Sequence, residues 1–152
     1  MKRVLGFLLG LGCLFSVKAQ DWALSPNYDF SRTYTVAVVS AEGAASEAVY
    51  NALAMELLKV GNLRVLERGK VAELLNEQEL GTSGVVDPSK APEIGKLVGA
   101  DLVCLANYDK GFLVVKLVNS ETGEVLYVGQ GAAPDVKGAA EKALKPLIKA
   151  RK

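Results

Sequence analysis

Residues 62–107 read NLRVLERGKVAELLNEQELGTSGVVDPSKAPEIGKLVGADLVCLAN, and they decide the fold because short apolar strands alternate in them with amphipathic helices. The spacing of the apolar residues predicts a strand over 63–67 and a helix over 69–79. A loop rich in glycine, serine and proline follows, and after it come a short helix over 92–98 and a strand over 101–107. This alternation indicates an α/β domain.

The upstream segments continue the same pattern. Residues 33–39 are apolar and largely β-branched, which predicts a strand that is covered on both faces. Residues 44–60 have the period of an amphipathic helix, with Ser46 as its N-cap and Glu56 off the apolar stripe. Residues 20–32 are polar and aromatic without a period, which predicts a short extended lead-in.

The downstream segments add a hairpin and a last helix. Residues 112–118 and 124–129 alternate as two strands, and Gly123 suits a positive φ where the hairpin closes. Asp135 can cap a final amphipathic helix. Pro146 lies inside that helical pattern, so we expect it to kink or end the helix about a turn early.

The predicted order of elements is β-α-β-α-α-β-β-β-α, which makes residues 33–152 one domain of the α/β (α+β) class, with helices flanking a mixed β-sheet. A chain of 152 residues with 50% apolar residues can bury the core that such a domain needs. Histidine is absent, which excludes catalysis and metal binding by imidazole. The balance of 18 basic and 17 acidic residues argues against a nucleic-acid-binding face.

Residues 1–19 have the pattern of a cleaved secretory signal peptide. Two basic residues precede an apolar run over 4–15 that is shorter than a membrane-spanning helix, and cleavage is expected between Ala19 and Gln20. The alternative is lipidation at Cys13. We therefore expect an exported, periplasmic protein, with an outer-membrane lipoprotein as the alternative.

Several motifs occur together in the order in which the CsgG family of exported assembly proteins has them. They are a strand that ends in Val-x-Glu-Arg, a helix with Leu-Leu-x-Glu-Gln, a Ser-Gly-x-x-Asp loop and a Gly-Ala-Asp lead into the next strand. The chain resembles this family over essentially its whole length after the signal peptide. The family includes the curli secretion channel, and its fold is similar to that of outer-membrane lipoproteins that activate peptidoglycan synthases.

The resemblance implies a non-enzymatic exported accessory protein that supports assembly or secretion at the outer membrane, or regulates a cell-wall synthase, through protein–protein contacts. The chain is too short to add the channel's membrane hairpins, so we do not expect it to form a pore alone. The expected partners are cell-envelope proteins and, as in other family members, further copies of the chain. Nucleic acid and cofactors are not expected, and membrane association is expected only if Cys13 is lipidated. A periplasmic domain that binds a small ligand or a glycan is the alternative.

The candidate partner-binding residues lie at a predicted strand end and in the turn-rich loop. They are Glu67, Arg68, Gly81, Ser83, Gly84 and Asp87. An ion pair or a helix cap is the structural alternative for the first two, and a plain connector is the alternative for the loop. No catalytic or metal-binding residues are assigned, because no activated nucleophile or metal-ligating cluster stands out.

Two further features have structural explanations. Cys104 lies in the middle of a predicted strand, so we expect a buried and unreactive thiol. The basic residues of the last helix are expected to complement its C-terminal dipole, with attraction to anionic lipid or glycan as the alternative. These residues are Lys137, Lys142, Lys145, Lys149, Arg151 and Lys152.

Overall fold

The computed structural model describes residues 21–40, 43–77 and 88–151. In chain order its elements are β1 (Trp22–Leu24), β2 (Tyr34–Ser40), β3 (Gly43–Ala44), α1 (Glu47–Val60), β4 (Leu63–Val65), α2 (Arg68–Glu77), a 3₁₀ turn (Pro88–Lys90), α3 (Ala91–Val98), β5 (Leu102–Asp109), β6 (Phe112–Asn119), β7 (Val125–Ala132) and α4 (Val136–Ala150). The predicted fold class is confirmed, and each predicted strand and helix is present.

The strands form one mixed sheet in the order β1-β7-β6-β5-β2-β3, with β4 also paired to β2. Strand β2 is parallel to β4 and β5, whereas β5, β6, β7 and β1 form an antiparallel series. The hairpin between β6 and β7 closes at Gly123, whose φ of 77° is the positive value that the turn was expected to need.

The lead-in contains a strand that the sequence pattern did not predict. Trp22 pairs with Gly129 and Leu24 with Tyr127 at the edge of the sheet. Three residues are too few to show a period, so this pairing depends on the neighbouring strand. Further along, Tyr28 is buried and its hydroxyl donates a hydrogen bond to the Asn62 side-chain oxygen at 3.2 Å. Burial raises the pKa of Tyr28 to about 12, so the phenol remains a neutral donor in the core.

Helices α1 and α4 cover one face of the sheet and form, with the strand residues beneath them, the α1–α4 layer. Helix α1 begins at the expected cap, where the Ser46 hydroxyl accepts a hydrogen bond from the Val49 backbone N–H at 3.4 Å. The largest helical side chains of this core are fully buried: Leu53, Leu57, Leu144 and Leu147.

Helices α2 and α3 cover part of the opposite face and form the α2–α3 layer. Their buried residues Val71, Leu75 and Ile94 pack on the alternate side chains of β2 and β5. Residues 33–39 were expected to be covered on both faces, and β2 confirms this, since Val36 to Val39 are all buried.

Pro146 was expected to kink or end α4 about a turn early, and the helix does not end there, since it continues to Ala150. Leu147, in the turn after the proline, is fully buried, and its packing favours continuation of the helix. The Tyr127 hydroxyl enters the helix at this point and donates a hydrogen bond to the Ala143 carbonyl oxygen at 2.6 Å. The N–H that Pro146 lacks would have bonded the Lys142 carbonyl oxygen, one residue before the carbonyl that Tyr127 binds, so the packing of Leu147 is what favours continuation of the helix.

Glu56 is a second correction. It was expected on the polar side of α1, but only 5% of the residue is exposed. Helix α4 packs beside α1 on this side. The buried Glu56 carboxylate is paired, because it accepts a hydrogen bond from the Lys59 ammonium at 2.8 Å. The period of a single helix cannot show that a second helix covers its flank.

Candidate functional site

A cleft of about 410 Å³ lies at the carboxyl edge of the parallel strands, and we call it the sheet-edge cleft. Strands β2, β4 and β5 all point toward this edge. Side chains that line the cleft are Ser40, Ser46, Val49, Arg68, Asn107 and Tyr108. Open sheets with parallel strands commonly bind ligands at such an edge.

Glu67 lies at this edge and caps helix α2. Its two carboxylate oxygens accept hydrogen bonds from the Gly69 N–H at 2.9 Å and the Lys70 N–H at 3.0 Å. These two backbone bonds hold the pKa of Glu67 below its ordinary value, with a smaller contribution from the Arg68 charge. The carboxylate therefore serves the helix terminus, which was the structural alternative for this residue.

Arg68 joins two elements at the same edge. Its Nε donates a hydrogen bond to the Ala45 carbonyl oxygen at 2.7 Å, which ties the start of α2 to the segment before α1. The half-buried side chain also lines the sheet-edge cleft. It supplies a fixed positive charge there, so an anionic or polar ligand group would meet a positioned guanidinium.

The other predicted residues of the site lie outside the described residues. Gly81, Ser83, Gly84 and Asp87 belong to the turn-rich loop, and the structure describes the chain again from Pro88. The N-terminal residues Cys13, Ala19 and Gln20 also lie outside. Their roles in partner binding, lipidation and cleavage remain predictions.

The described residues offer little for catalysis. Cys104 lies within β5, fully buried as expected, and burial raises the pKa of its thiol to about 12, so the reactive thiolate is disfavoured. Residues 21–40, 43–77 and 88–151 contain no group of three or more acidic or cysteine side chains that could hold a metal ion. None of the helices in these ranges is long and apolar enough to cross a bilayer.

The outer face of α1 is a second candidate surface that the sequence pattern missed. Met55 is 55% exposed and Leu58 is 56% exposed, and these large apolar side chains are adjacent on the helix. Ala48 and Asn51 continue the same exposed face toward the start of the helix. Neighbouring large apolar side chains that are exposed among polar residues are typical of protein–protein contacts.

Comparison with known families places the chain beside one of them. The model of the family described as "Curli production assembly/transport component CsgG" matches residues 15–112. That range includes every helix and strand from β1 to β5, whereas β7 and α4 lie beyond it. Among proteins of curated function, none matches the chain in sequence.

The solved structures that are similar to the chain include those of three different proteins. A PelC dodecamer from Paraburkholderia phytofirmans has a TM-score of 0.50 and 15% identity, over 83% of this chain and 94% of PelC. The LpoB C-terminal domain from Salmonella enterica has a TM-score of 0.49 and 20% identity, over 67% of this chain and 83% of that domain. Lipoprotein GNA1162 from Neisseria meningitidis has a TM-score of 0.44 and 17% identity, over 64% and 79%. At these identities the similarity concerns the fold.

Proposed function

Because the chain belongs to the CsgG family, as its motifs predicted, we propose that it is an exported, non-enzymatic accessory protein that supports assembly or secretion at the outer membrane through protein–protein contacts. The family description names an assembly and transport component of curli production, which supports this role. The absence of histidine from the sequence and the buried Cys104 agree with a role that does not require catalysis.

The exposed outer face of α1 is the observation that carries this proposal. Leu53 and Leu57 anchor the inner side of the helix in the core, so Met55 and Leu58 are held outward on a rigid support. Covering both side chains with a partner would remove apolar surface from water. We assign this face to contact with a second copy of the chain.

The similarity to PelC supports self-association, because PelC has a related fold and was solved as a dodecamer. Copies of one chain usually assemble with closed symmetry, and a few residues near the centre of a contact carry most of its binding energy. The proposed protein is therefore an oligomer whose subunits meet through α1.

The test measures the mass of the exported protein in solution. The double variant Met55→Lys with Leu58→Lys is expected to shift the assembly to monomers, because each contact would bury unpaired ammonium groups. The matched control, Asn76→Lys with Thr33→Lys, adds the same two charges at exposed positions elsewhere and is expected to keep the wild-type mass. A wild-type protein that is monomeric at every concentration tested contradicts self-association.

The class of partner follows from a second measurement with the same two variants. We expect the wild-type protein to retain outer-membrane assembly or secretion components from an envelope extract, and the α1 variant to lose them. Retention of a cell-wall synthase would instead support the regulatory role that the family resemblance also implies. Retention of the same envelope proteins by both variants would show that these partners need neither the α1 face nor the assembly that forms through it.

Processing of the N-terminus determines where the protein acts. We propose cleavage before Gln20 and a free periplasmic protein, and the intact mass of protein recovered from envelope fractions tests this. A mass that starts at Gln20 in the soluble periplasmic fraction is the expected result. A mass that starts at a lipid-modified Cys13 in the outer membrane would contradict it and support an anchored assembly factor.

Binding of a small ligand or a glycan in the sheet-edge cleft is the second candidate function. The positioned guanidinium of Arg68 and the neighbouring Asn107 and Tyr108 favour it, because together they offer charge, amide and aromatic groups. A glycan that binds there should raise the melting temperature of the wild-type protein and of Arg64→Gln, but not of Arg68→Gln. If all three proteins respond equally, the cleft is not the binding site.

A further inference from the structure

A shallow cleft of about 500 Å³ lies between β1 and the last turns of α4. Trp22 reaches it because β1 pairs with β7, and Gly129 opposite Trp22 leaves room for α4 to pack directly on the strand. The cleft combines one aromatic residue, one proline and three lysines from a single face of α4. They are Trp22, Pro146, Lys142, Lys145 and Lys149, and we call them the Trp22–lysine face.

The three lysines of this face are exposed at their charged ends. Lys142 donates a hydrogen bond to the Ala132 carbonyl oxygen at 2.8 Å. Because this acceptor is neutral, the positive charge of Lys142 remains uncompensated. None of the three forms an ion pair with another described residue. The nearest acidic residues in the sequence, Asp21 and Glu141, flank the cleft without lining it.

We propose that the Trp22–lysine face lies against the surface of an anionic phospholipid bilayer. The ammonium groups match lipid phosphates, and their alkyl chains can lie along the apolar side of the interface. Tryptophan is enriched at the same depth, where an apolar ring and a polar N–H are both accommodated. Charge and aromatic character therefore converge on one surface, although the two parts are far apart in the sequence.

The composition of the cleft favours a bilayer over a soluble glycan. A glycan-binding site needs several fixed donors and acceptors that converge on hydroxyl groups. Among the described residues that line this cleft, the side chains offer only ammonium groups, the indole N–H and apolar atoms. Those groups suit a surface with delocalised negative charge above an apolar layer.

This inference goes beyond the proposed function and does not depend on it. It uses β1 and α4, whereas self-association uses the outer face of α1, and α4 lies outside the residues that match the family. It also differs from membrane association through a lipid on Cys13, because the described side chains themselves make the contact.

The test follows the fluorescence of Trp22, which is the only tryptophan of the chain. The full chain carries Cys13→Ser, so no lipid is attached there, and it is purified after its own processing. We expect vesicles of equal phosphatidylglycerol and phosphatidylcholine to shift the emission to shorter wavelength and to co-sediment the protein. Pure phosphatidylcholine vesicles should do neither, and salt should weaken the binding. Equal binding to both vesicle types would overturn the proposal.

Matched variants separate this face from general charge attraction. Replacing Lys142, Lys145 and Lys149 together with glutamine should weaken binding to the anionic vesicles about 100-fold, at roughly fivefold for each lysine. The control replaces Lys70, Lys96 and Lys110 with glutamine, which removes the same charge from other surfaces, and should bind within about twofold of the parent.

Two further results would overturn the proposal. The first is equal weakening in both triple variants, which would mean that net charge alone is responsible. The second is a Trp22 response to a soluble sulfated polysaccharide without any response to vesicles, which would assign the face to a glycan. Oligomer mass is measured on the same samples, so loss of membrane binding with the assembly intact is distinct from failure of self-association.

Discussion

The α1–α4 layer and the α2–α3 layer differ in how deeply they are anchored. The first covers the sheet with four fully buried leucines, whereas the second rests on Val71, Leu75 and Ile94 over a smaller part of the opposite face. The outer face of α1 and the Trp22–lysine face belong to the α1–α4 layer. Arg68 of the sheet-edge cleft belongs to the α2–α3 layer. The two surfaces proposed for large partners therefore have rigid support, whereas local opening of the α2–α3 layer would release Arg68 from a cleft that is otherwise lined by the sheet and the start of α1.

The largest expected effect comes from removing a buried leucine in each layer. Leu53→Ala should lower the free energy of unfolding by about 3–5 kcal/mol, because the fully buried site cannot collapse around the cavity. Leu75→Ala should lower it by about 2–3 kcal/mol, because the α2–α3 layer covers less of the sheet and can relax around the cavity. Denaturant unfolding of both variants checks this. Lys137→Ala, at an exposed position of α4 in the same layer, should change the value by less than about 0.5 kcal/mol.

Equal losses at Leu53 and Leu75 would remove the distinction between the layers. A larger loss at Leu75 would reverse it and would mean that Arg68 has the firmer support. The m-value of each transition shows whether both variants still unfold in one step.

Replacing a glycine that lies in contact with each helical layer by alanine should give the next largest loss in the free energy of unfolding. A Cβ on Gly131 would lie 2.8 Å from the Ala143 backbone nitrogen, so Gly131→Ala must push α4 away from the sheet. We expect a loss of about 2–3 kcal/mol. A Cβ on Gly95 would overlap the Cβ of Ser120, which is fixed to the hairpin backbone, so the backbone must also shift there. Alanine favours the helix by about 1 kcal/mol, which offsets part of this cost, so Gly95→Ala should lose about 1–2 kcal/mol.

Thermal unfolding of these two glycine variants, measured beside the wild-type protein, tests the difference. If Gly95→Ala is the more damaging, the contact of α3 with the hairpin is tighter than the contact of α4 with β7. In that case the Trp22–lysine face would also be less firmly positioned than we infer.

The sequence predicted those parts of the fold that depend on local interactions. The strand over 33–39, the Ser46 cap and the Gly123 turn each follow from the residues themselves. Strand β1 and the continuation of α4 past Pro146 could not be predicted, because a neighbouring strand decides the first and the packing of Leu147 and Tyr127 favours the second.

The candidate site was predictable to a smaller extent. Glu67 and Arg68 were placed at the end of a strand, and the structure positions them at the carboxyl edge of the sheet as that placement implies. Asn107 and Tyr108 could have been found by the same reasoning, since they stand near the end of the next parallel strand. Met55 could not, because exposure on a helix depends on which face the other elements leave uncovered.

Two buried hydroxyls give a smaller expected effect and test how each layer is joined to the sheet. Tyr127→Phe removes the hydrogen bond to the Ala143 carbonyl oxygen within α4, and we expect a loss of about 1–2 kcal/mol. Ser120→Ala removes a donor that lies 2.6 Å from the Ala100 carbonyl oxygen, and we expect about 1 kcal/mol. Hydrogen exchange should show faster exchange at Leu147 only in the tyrosine variant, and equal exchange in both would contradict the role of Tyr127 in α4.

The smallest expected loss of stability comes from removing the Glu67 cap of α2. The dependence of this loss on pH distinguishes it from other small effects. The pKa of Glu67 is lowered in the folded protein by the Gly69 and Lys70 N–H groups, so its stabilisation is fully present above the ordinary value of 4.5 and is lost as pH falls through the lower folded pKa. Glu67→Gln should therefore melt slightly below the wild-type protein at pH 7, and the two melting temperatures should converge once the pH lies below the folded pKa of Glu67.

Glu77→Gln is the matched control for the cap, because it removes the same charge from the opposite end of α2. Its melting temperature should equal or exceed that of the wild-type protein at pH 7, since a carboxylate near a helix C-terminus is unfavourable. If Glu67→Gln and Glu77→Gln behave alike at every pH, the hydrogen bonds to the first turn contribute nothing. The carboxylate of Glu67 would then be free for the partner binding that its place at the strand end predicted.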